Sequence, residues 1–292
     1  MKIVFHCGVH GTDGDRMLKS LLNNRDYLLK NGTEVLTPNR YRGVLDEALM
    51  SLNGGTATEE MQEILLDSIL ETDSPHRVIL SHPGFQGPAF RALSADGLYP
   101  QMGARMRSLA ALFPGHDSEF FIALRHPVVL LRVLLAQSPN STYDSLTRGL
   151  RPDEFSWTAA IQRLVATLGG RHRLVLWCHE DVPLIWPEVL RLVGDIPPEV
   201  RLSGGLAYLH DVIGDEGLSR LRGEMVGRDR LTIAERRELH SEFIGVFATD
   251  DALSEPVDLP GWTQQDVDKA TARYEADIAE IAVLPGVEFI TP

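Results

Sequence analysis

The residues best suited to chemistry sit in one stretch, Phe5-His6-Cys7-Gly8-Val9-His10-Gly11-Thr12-Asp13-Gly14-Asp15-Arg16-Met17. An apolar strand ends there, Gly8, Gly11 and Gly14 follow, and an amphipathic helix begins. Backbone N–H groups in such a turn, together with the start of a helix, can converge on an anion, most often phosphate. The same spacing also serves a purely structural turn. His6, His10, Asp13 and Asp15 open a second chemistry, because imidazoles and carboxylates this close could hold a divalent metal. His6, inside a strand, also reads as a buried, hydrogen-bonded ring. Cys7 and Cys178 lie at strand ends with no evident base and read as packed thiols. Glu180-Asp181 reads as a cap for the helix that follows, and the four tryptophans as packing groups.

The elements that must position this junction follow from the apolar pattern. Lys2–Cys7, Glu34–Leu36, Arg77–Ser81, Glu119–Leu124 and Leu174–Cys178 are short apolar runs, with Val287–Ile290 a weaker sixth. Their continuous Val, Ile, Leu and Phe content suits strands covered on both faces. Helical spacing appears at Met17–Leu28, Met61–Leu70 and Ile161–Leu168, closed by Asn31-Gly32, Pro75 and Gly169-Gly170. This alternation predicts an α/β three-layer sandwich on a mostly parallel sheet, with Lys2–Cys7 central. Ligands of such sheets bind at the carboxyl ends of the strands, where the glycine turn lies. After Pro197 the pattern becomes charged and helical; Ser219–Phe247 reads as one or two helices, Thr249–Pro260 as an acidic loop and Gln264–Ala282 as a last helix. The expectation is a single domain over 1–292, with 198–283 as a helical lobe.

Composition narrows the function classes. The 292 residues are 43% hydrophobic and 24% charged, which excludes a disordered chain. A chain of this length buries roughly 75% of its unfolded surface, so no metal or disulfide is needed for folding. Lys+Arg number 28 and Asp+Glu 41, a net charge of −13. That balance argues against nucleic acid and acidic membranes as partners, while leaving room for a small basic pocket. No apolar run has the length of a signal peptide or a membrane span, so the expected location is cytoplasmic.

Taken together, the glycine turn and four further segments resemble the bacterial and Golgi-type sulfotransferase-like family of the P-loop fold. Val78-Ile79-Leu80-Ser81 resembles its second core strand, and Phe121-Ile122-Ala123-Leu124-Arg125-His126-Pro127 its strand ending in Arg-x-Pro. Leu174–Val182 is similar to its strand–Glu-Asp–helix block, and Tyr274–Val287 to the closing segment of bacterial members. The resemblance implies a P-loop NTPase-like sheet and sulfuryl transfer from 3′-phosphoadenosine 5′-phosphosulfate to a hydroxyl or amine on a small-molecule or glycan-like acceptor. It implies that Gly8, His10, Gly11, Thr12, Asp13, Gly14, Asp15 and Arg16 cradle the 5′ end of the donor. Arg125 would contact the 3′-phosphate and His82 would act as base toward the acceptor.

The departures are as specific as the matches. The family carries lysine where this chain has Gly11, and Thr or Ser where it has Gly14 and Asp15. It places serine where this chain has Val133, and Ser138 is out of register. Asp13 and Asp15 would repel an anionic donor, and Arg16 and Lys19 fall inside the following helix. Three readings follow: a donor-dependent sulfotransferase; a sulfotransferase-like binding or assembly protein that has lost donor binding; and a phosphoryl-group enzyme with a metal held by the loop acids.

Overall fold

The structure, a computed structural model, describes residues 1–228, 231–253, 255 and 259–292. Arg230 and most of the acidic stretch 254–258 lie outside the described residues. The strands are β1 (Lys2–His6), β2 (Thr33–Leu36), β3 (Arg77–Ser81), β4 (Leu93–Ser94), β5 (Gly97–Leu98), β6 (Asp117–Leu124), β7 (Arg173–Cys178) and β8 (Glu288–Ile290). The helices are α1 (Arg16–Leu22), α2 (Arg25–Lys30), α3 (Pro38–Leu52), α4 (Glu59–Ile69), α5 (Met102–Ala111), α6 (Pro127–Ala136) and α7 (Tyr143–Thr147). They continue with α8 (Trp157–Leu168), α9 (Val182–Gly194), α10 (Ala207–Met225), α11 (Ile233–Phe247), α12 (Asp250–Leu253) and α13 (Gln264–Ile281).

Six strands form one parallel sheet in the order β2-β3-β1-β6-β7-β8, while β4 and β5 make a separate small hairpin. The expected three-layer sandwich with β1 central is what the chain forms. Alternation along the strands sorts their side chains. Ile3, Phe5, Phe120 and Ile122 pack with residues of α3, α4, α5, α6, α8 and α13 on one face. Val4, Ile79, Phe121 and Val175 pack with α1, α2 and α9 on the other. Each inward strand residue is buried on its own side, so a continuous apolar run is the pattern this sheet requires.

Helix α1 thus leaves β1 toward one face, while the connections after β3 and β6 lead to the other. That reversal opens a crevice at the carboxyl end of β1, where sheets of this kind take ligands. Within the region 198–283, only α10 and α11 share a small core of their own, around Leu209, Ile213, Leu221 and Leu239. Helix α13 instead joins the main core through Ala270, Tyr274 and Ile281. Its buried Asp277 accepts the Trp157 N–H at 2.6 Å, which caps the start of α8. The single helix expected over Met17–Leu28 is two, α1 and α2. Asn24 breaks it by donating to the Ser20 and Ser203 carbonyls and accepting the Ser203 N–H.

Candidate functional site

The β1–α1 junction stays in register with β6 beyond the strand. Cys7 N–H donates to the Phe121 carbonyl, Val9 N–H to Ala123, and Ala123 N–H back to Gly8. Gly8, Gly11 and Gly14 all have positive φ, and so does Asp15 at +65°. His10 is buried and spends both ring nitrogens inside the protein. Its Nε2–H donates to the Gly87 carbonyl at 3.1 Å, and its Nδ1 accepts the Tyr99 hydroxyl at 2.8 Å. The ring is therefore neutral and fixed in one tautomer, and burial lowers its pKa. Buried Thr12 donates its hydroxyl to the Val9 carbonyl at 2.8 Å.

The remaining loop residues are drawn toward α1 and α10. Asp13 accepts the Met17 N–H at 2.7 Å, so its carboxylate occupies the start of α1 where a phosphate-binding loop would hold its anion. Gly14 and Asp15 are exposed, and the Asp15 carboxylate caps nothing. Arg16 pairs with Asp211, donates to the Ala207 carbonyl at 3.3 Å and lies 4.6 Å from the centre of the Tyr208 ring. Tyr208 in turn donates its hydroxyl to the Thr12 carbonyl at 3.0 Å.

Gly11 carries the most informative geometry. At φ +74°, a Cβ there would stand 2.7 Å from Val133 Cγ1. The position where the resembled family carries lysine is packed by the side chain standing in place of that family's serine. The two departures, far apart in sequence, meet in space.

Arg125 follows β6 and is buried. It pairs with Glu255, whose other carboxylate oxygen accepts Arg132 at 3.0 Å. The Arg125 main chain is fixed by Trp157, whose Nε1–H donates to its carbonyl at 2.8 Å. Arg125 Nε has no hydrogen-bond partner among the described residues. Beside it, burial and then the charges of Arg125 and Arg16 push the His179 pKa down to about 3. Loss of water is the larger cause of that shift, and the positive potential of the two guanidiniums adds to it.

His82 follows β3 and adjoins the loop; a Cβ on Gly8 would lie 3.3 Å from neighbouring Pro83. Its Nδ1 accepts the Gly84 N–H at 2.8 Å, so Nε2 carries the proton. The base role implied for His82 thus meets an occupied lone pair: the ring presents a donor, and burial followed by Arg42 lowers its pKa. Glu180, read as a helix cap, instead joins two elements. It accepts the His126 N–H and the Tyr274 hydroxyl, each at 2.8 Å.

Among the described residues no three His, Cys, Asp or Glu side chains come together as metal ligands. His6 bonds Ser81 Oγ at 2.8 Å and stacks on Trp177. Both cysteines are free and buried. No described helix is long and apolar enough to cross a membrane.

Fold and site define the class: a three-layer α/β protein with the glycine turn, Arg16, His82 and Arg125 at the carboxyl end of the central strands. No family model, curated protein or solved structure matches the chain. The sulfotransferase resemblance therefore rests on the residues alone.

Proposed function

We propose that the chain is a sulfotransferase-like protein whose donor seat is filled from within, so that it works as a binding or assembly protein. The observation that carries this reading is the Gly11–Val133 contact, which leaves no space for the lysine that would steady charge on the leaving phosphate. Two further substitutions point the same way. The Asp13 carboxylate stands at the start of α1, and the Glu255 carboxylate is held by Arg125 and Arg132, so protein carboxylates take both anion positions. The two unpaired cysteines fit a reducing compartment such as the cytoplasm.

A second reading, transfer from 3′-phosphoadenosine 5′-phosphosulfate, is favoured by the placement of Arg125 and His82. They end the two strands that flank β1, as that chemistry needs. In it Arg125 holds the 3′-phosphate, the loop from Gly8 to Arg16 holds the phosphosulfate, and His82 takes the acceptor proton for in-line displacement. The Gly84 N–H would first have to release Nδ1, so that the neutral ring could shift its proton there and bare Nε2.

Calorimetric titration with adenosine 3′,5′-bisphosphate, alongside a sulfuryl-transfer assay, separates the two. The expected result is no measurable binding by the unaltered protein, with binding gained in the combined variant Gly11→Lys, Val133→Ser and Glu255→Gln. Tight binding and transfer by the unaltered protein would overturn the first reading in favour of the second.

A further inference from the structure

The seam between α9 and α11 is built from charged side chains. On α9, Val189 and Val193 belong to the core against the sheet, while Glu188 accepts Arg236 of α11 at 3.0 Å. The Glu188 and Arg236 side chains are only 8% and 16% exposed, so the pair is largely closed off from water. His240 follows one turn after Arg236 on the same side of α11, and none of its surface is exposed. Neither of its ring nitrogens has a hydrogen-bond partner among the described residues. Glu188 Oε2, Arg191 Nε and Arg237 Nε are likewise buried without a partner there.

A ring so enclosed is tolerated only while neutral. A proton would add a second N–H with nothing to accept it, one turn from the Arg236 guanidinium. Burial and then Arg236 accordingly push the His240 pKa down to about 4. The charged groups of the surrounding helices offer no counter-charge. On α11, Arg237 has the same sign, and Glu238 and Glu242 are exposed. On α9, Glu188 is bonded to Arg236, and Arg191 donates to the Pro197 and Val200 carbonyls. On α10, every Asp, Glu and Arg from 211 to 224 is exposed, and His210 pairs with Asp215. Helices α10 and α11 share a core of their own around Leu209, Ile213, Leu221 and Leu239, separate from the two cores on the sheet. They can therefore part from α9 without parting from each other.

We propose that His240 is an acid-sensitive latch: when its ring takes up a proton, the α10–α11 hairpin comes away from α9 as a unit. The hairpin carries Tyr208, whose hydroxyl donates to the Thr12 carbonyl, so its departure uncovers the β1 junction. Once released, the ring titrates near its ordinary value of about 6.5. The open form then binds more protons than the closed one as pH falls below that value, and by pH 5.5 it gains about tenfold. His179, whose ring lies 5.7 Å from that of Tyr208, adds to the gain as Tyr208 leaves it. Glu188 and Asp181 work the other way, because burial raises both carboxyl pKa values and a proton there favours the closed form. The latch makes no use of Arg125 or the glycine loop, so it stands whether or not a nucleotide binds.

The test is amide hydrogen exchange of the full chain at pH 7.5 and 5.5, read as protection factors so that the pH dependence of the free-chain rate divides out. Helices α10 and α11 are expected to open together, at protection below that of β1 and β6, and to lose at least about tenfold between the two pH values. His240→Leu gives up no hydrogen bond and is expected to take about tenfold off that loss. Glu188→Gln keeps an oxygen for Arg236 and leaves the ring in place, so the loss should persist. One common protection factor for α11 and β1, constant protection in α11, or an undiminished loss in His240→Leu would each overturn the proposal. So would a loss that disappears in Glu188→Gln, since the carboxylate and not the ring would then be the switch.

Discussion

The two edges of the sheet use the same charged side chains to opposite ends. At the amino edge, Glu119 receives Lys2 at 3.2 Å, Arg77 at 2.7 Å and Arg173 at 3.6 Å. Arg77 also donates to the Val193 and Leu192 carbonyls, which end α9. Burial raises the Glu119 pKa, but Arg77 and Lys2 outweigh it and hold the carboxyl below its usual range. At the carboxyl edge, Arg125 is paired among the described residues through the half-exposed Glu255, and its Nε has no hydrogen-bond partner there. A depression of about 850 Å³, lined by Lys2, Arg77, His116 and Asp117, opens at the amino edge. A cavity therefore marks one edge and less completely matched charge the other. Charge is the better guide, because a matched ion pair is already satisfied and an unmatched one calls for a ligand.

The largest expected effect tests that contrast. Arg77→Ala removes the one fully buried cation of the three on Glu119 and frees the carbonyls that end α9, and is expected to cost about 3 kcal/mol of stability, read from the urea midpoint. Arg125→Ala should cost about 1 kcal/mol, because Glu255, 42% exposed, returns to water. Equal losses at the two edges would erase the distinction between them.

The closed loop predicts a middle-sized effect. Gly11→Ala places a Cβ against Val133 in a left-handed backbone, which should destabilise by about 2 kcal/mol or more. Adding Val133→Gly should recover the part due to collision and leave the part due to backbone strain. If the double variant is no better than Gly11→Ala, the two positions are not coupled as the packing implies.

Those couplings explain what was legible in the sequence. The six sheet strands followed from uninterrupted apolar runs and their parallel sense from the alternation with helices, while their order beyond a central β1 did not. Helix α3 was not legible, because only Tyr41, Leu45 and Ala48 are buried among its polar residues. The two-residue strands β4 and β5 are too short to carry a period, and the break between α1 and α2 depends on Ser203, 179 residues away. Gly11 with Val133 and Arg125 with Glu255 are contacts of the same kind. The sequence names each residue, and only the fold says that one fills the other's place.

The smallest expected effect concerns His179, and it reads burial and the positive potential of the carboxyl edge together. Folded, the ring is neutral down to about pH 3, held there by burial and then by Arg125 and Arg16. In the unfolded chain it takes a proton near its ordinary value of about 6.5. Between those values the unfolded state binds more protons, so stability must fall as pH drops through about 6.5 toward 3. One such group contributes at most about 1.4 kcal/mol per pH unit in that window. His6, His10 and His126, whose pKa values are also lowered by burial, add to the same slope. His179→Asn should therefore flatten the fall in stability between pH 6.5 and 5.5 by one histidine's share, about 1 kcal/mol, whatever it does to stability at pH 7. Arg125→Ala should flatten it less, because it removes one of the two charges and leaves burial in place. An unchanged slope in His179→Asn would mean that the ring reaches water and takes up its proton in the folded chain as it does in the unfolded one.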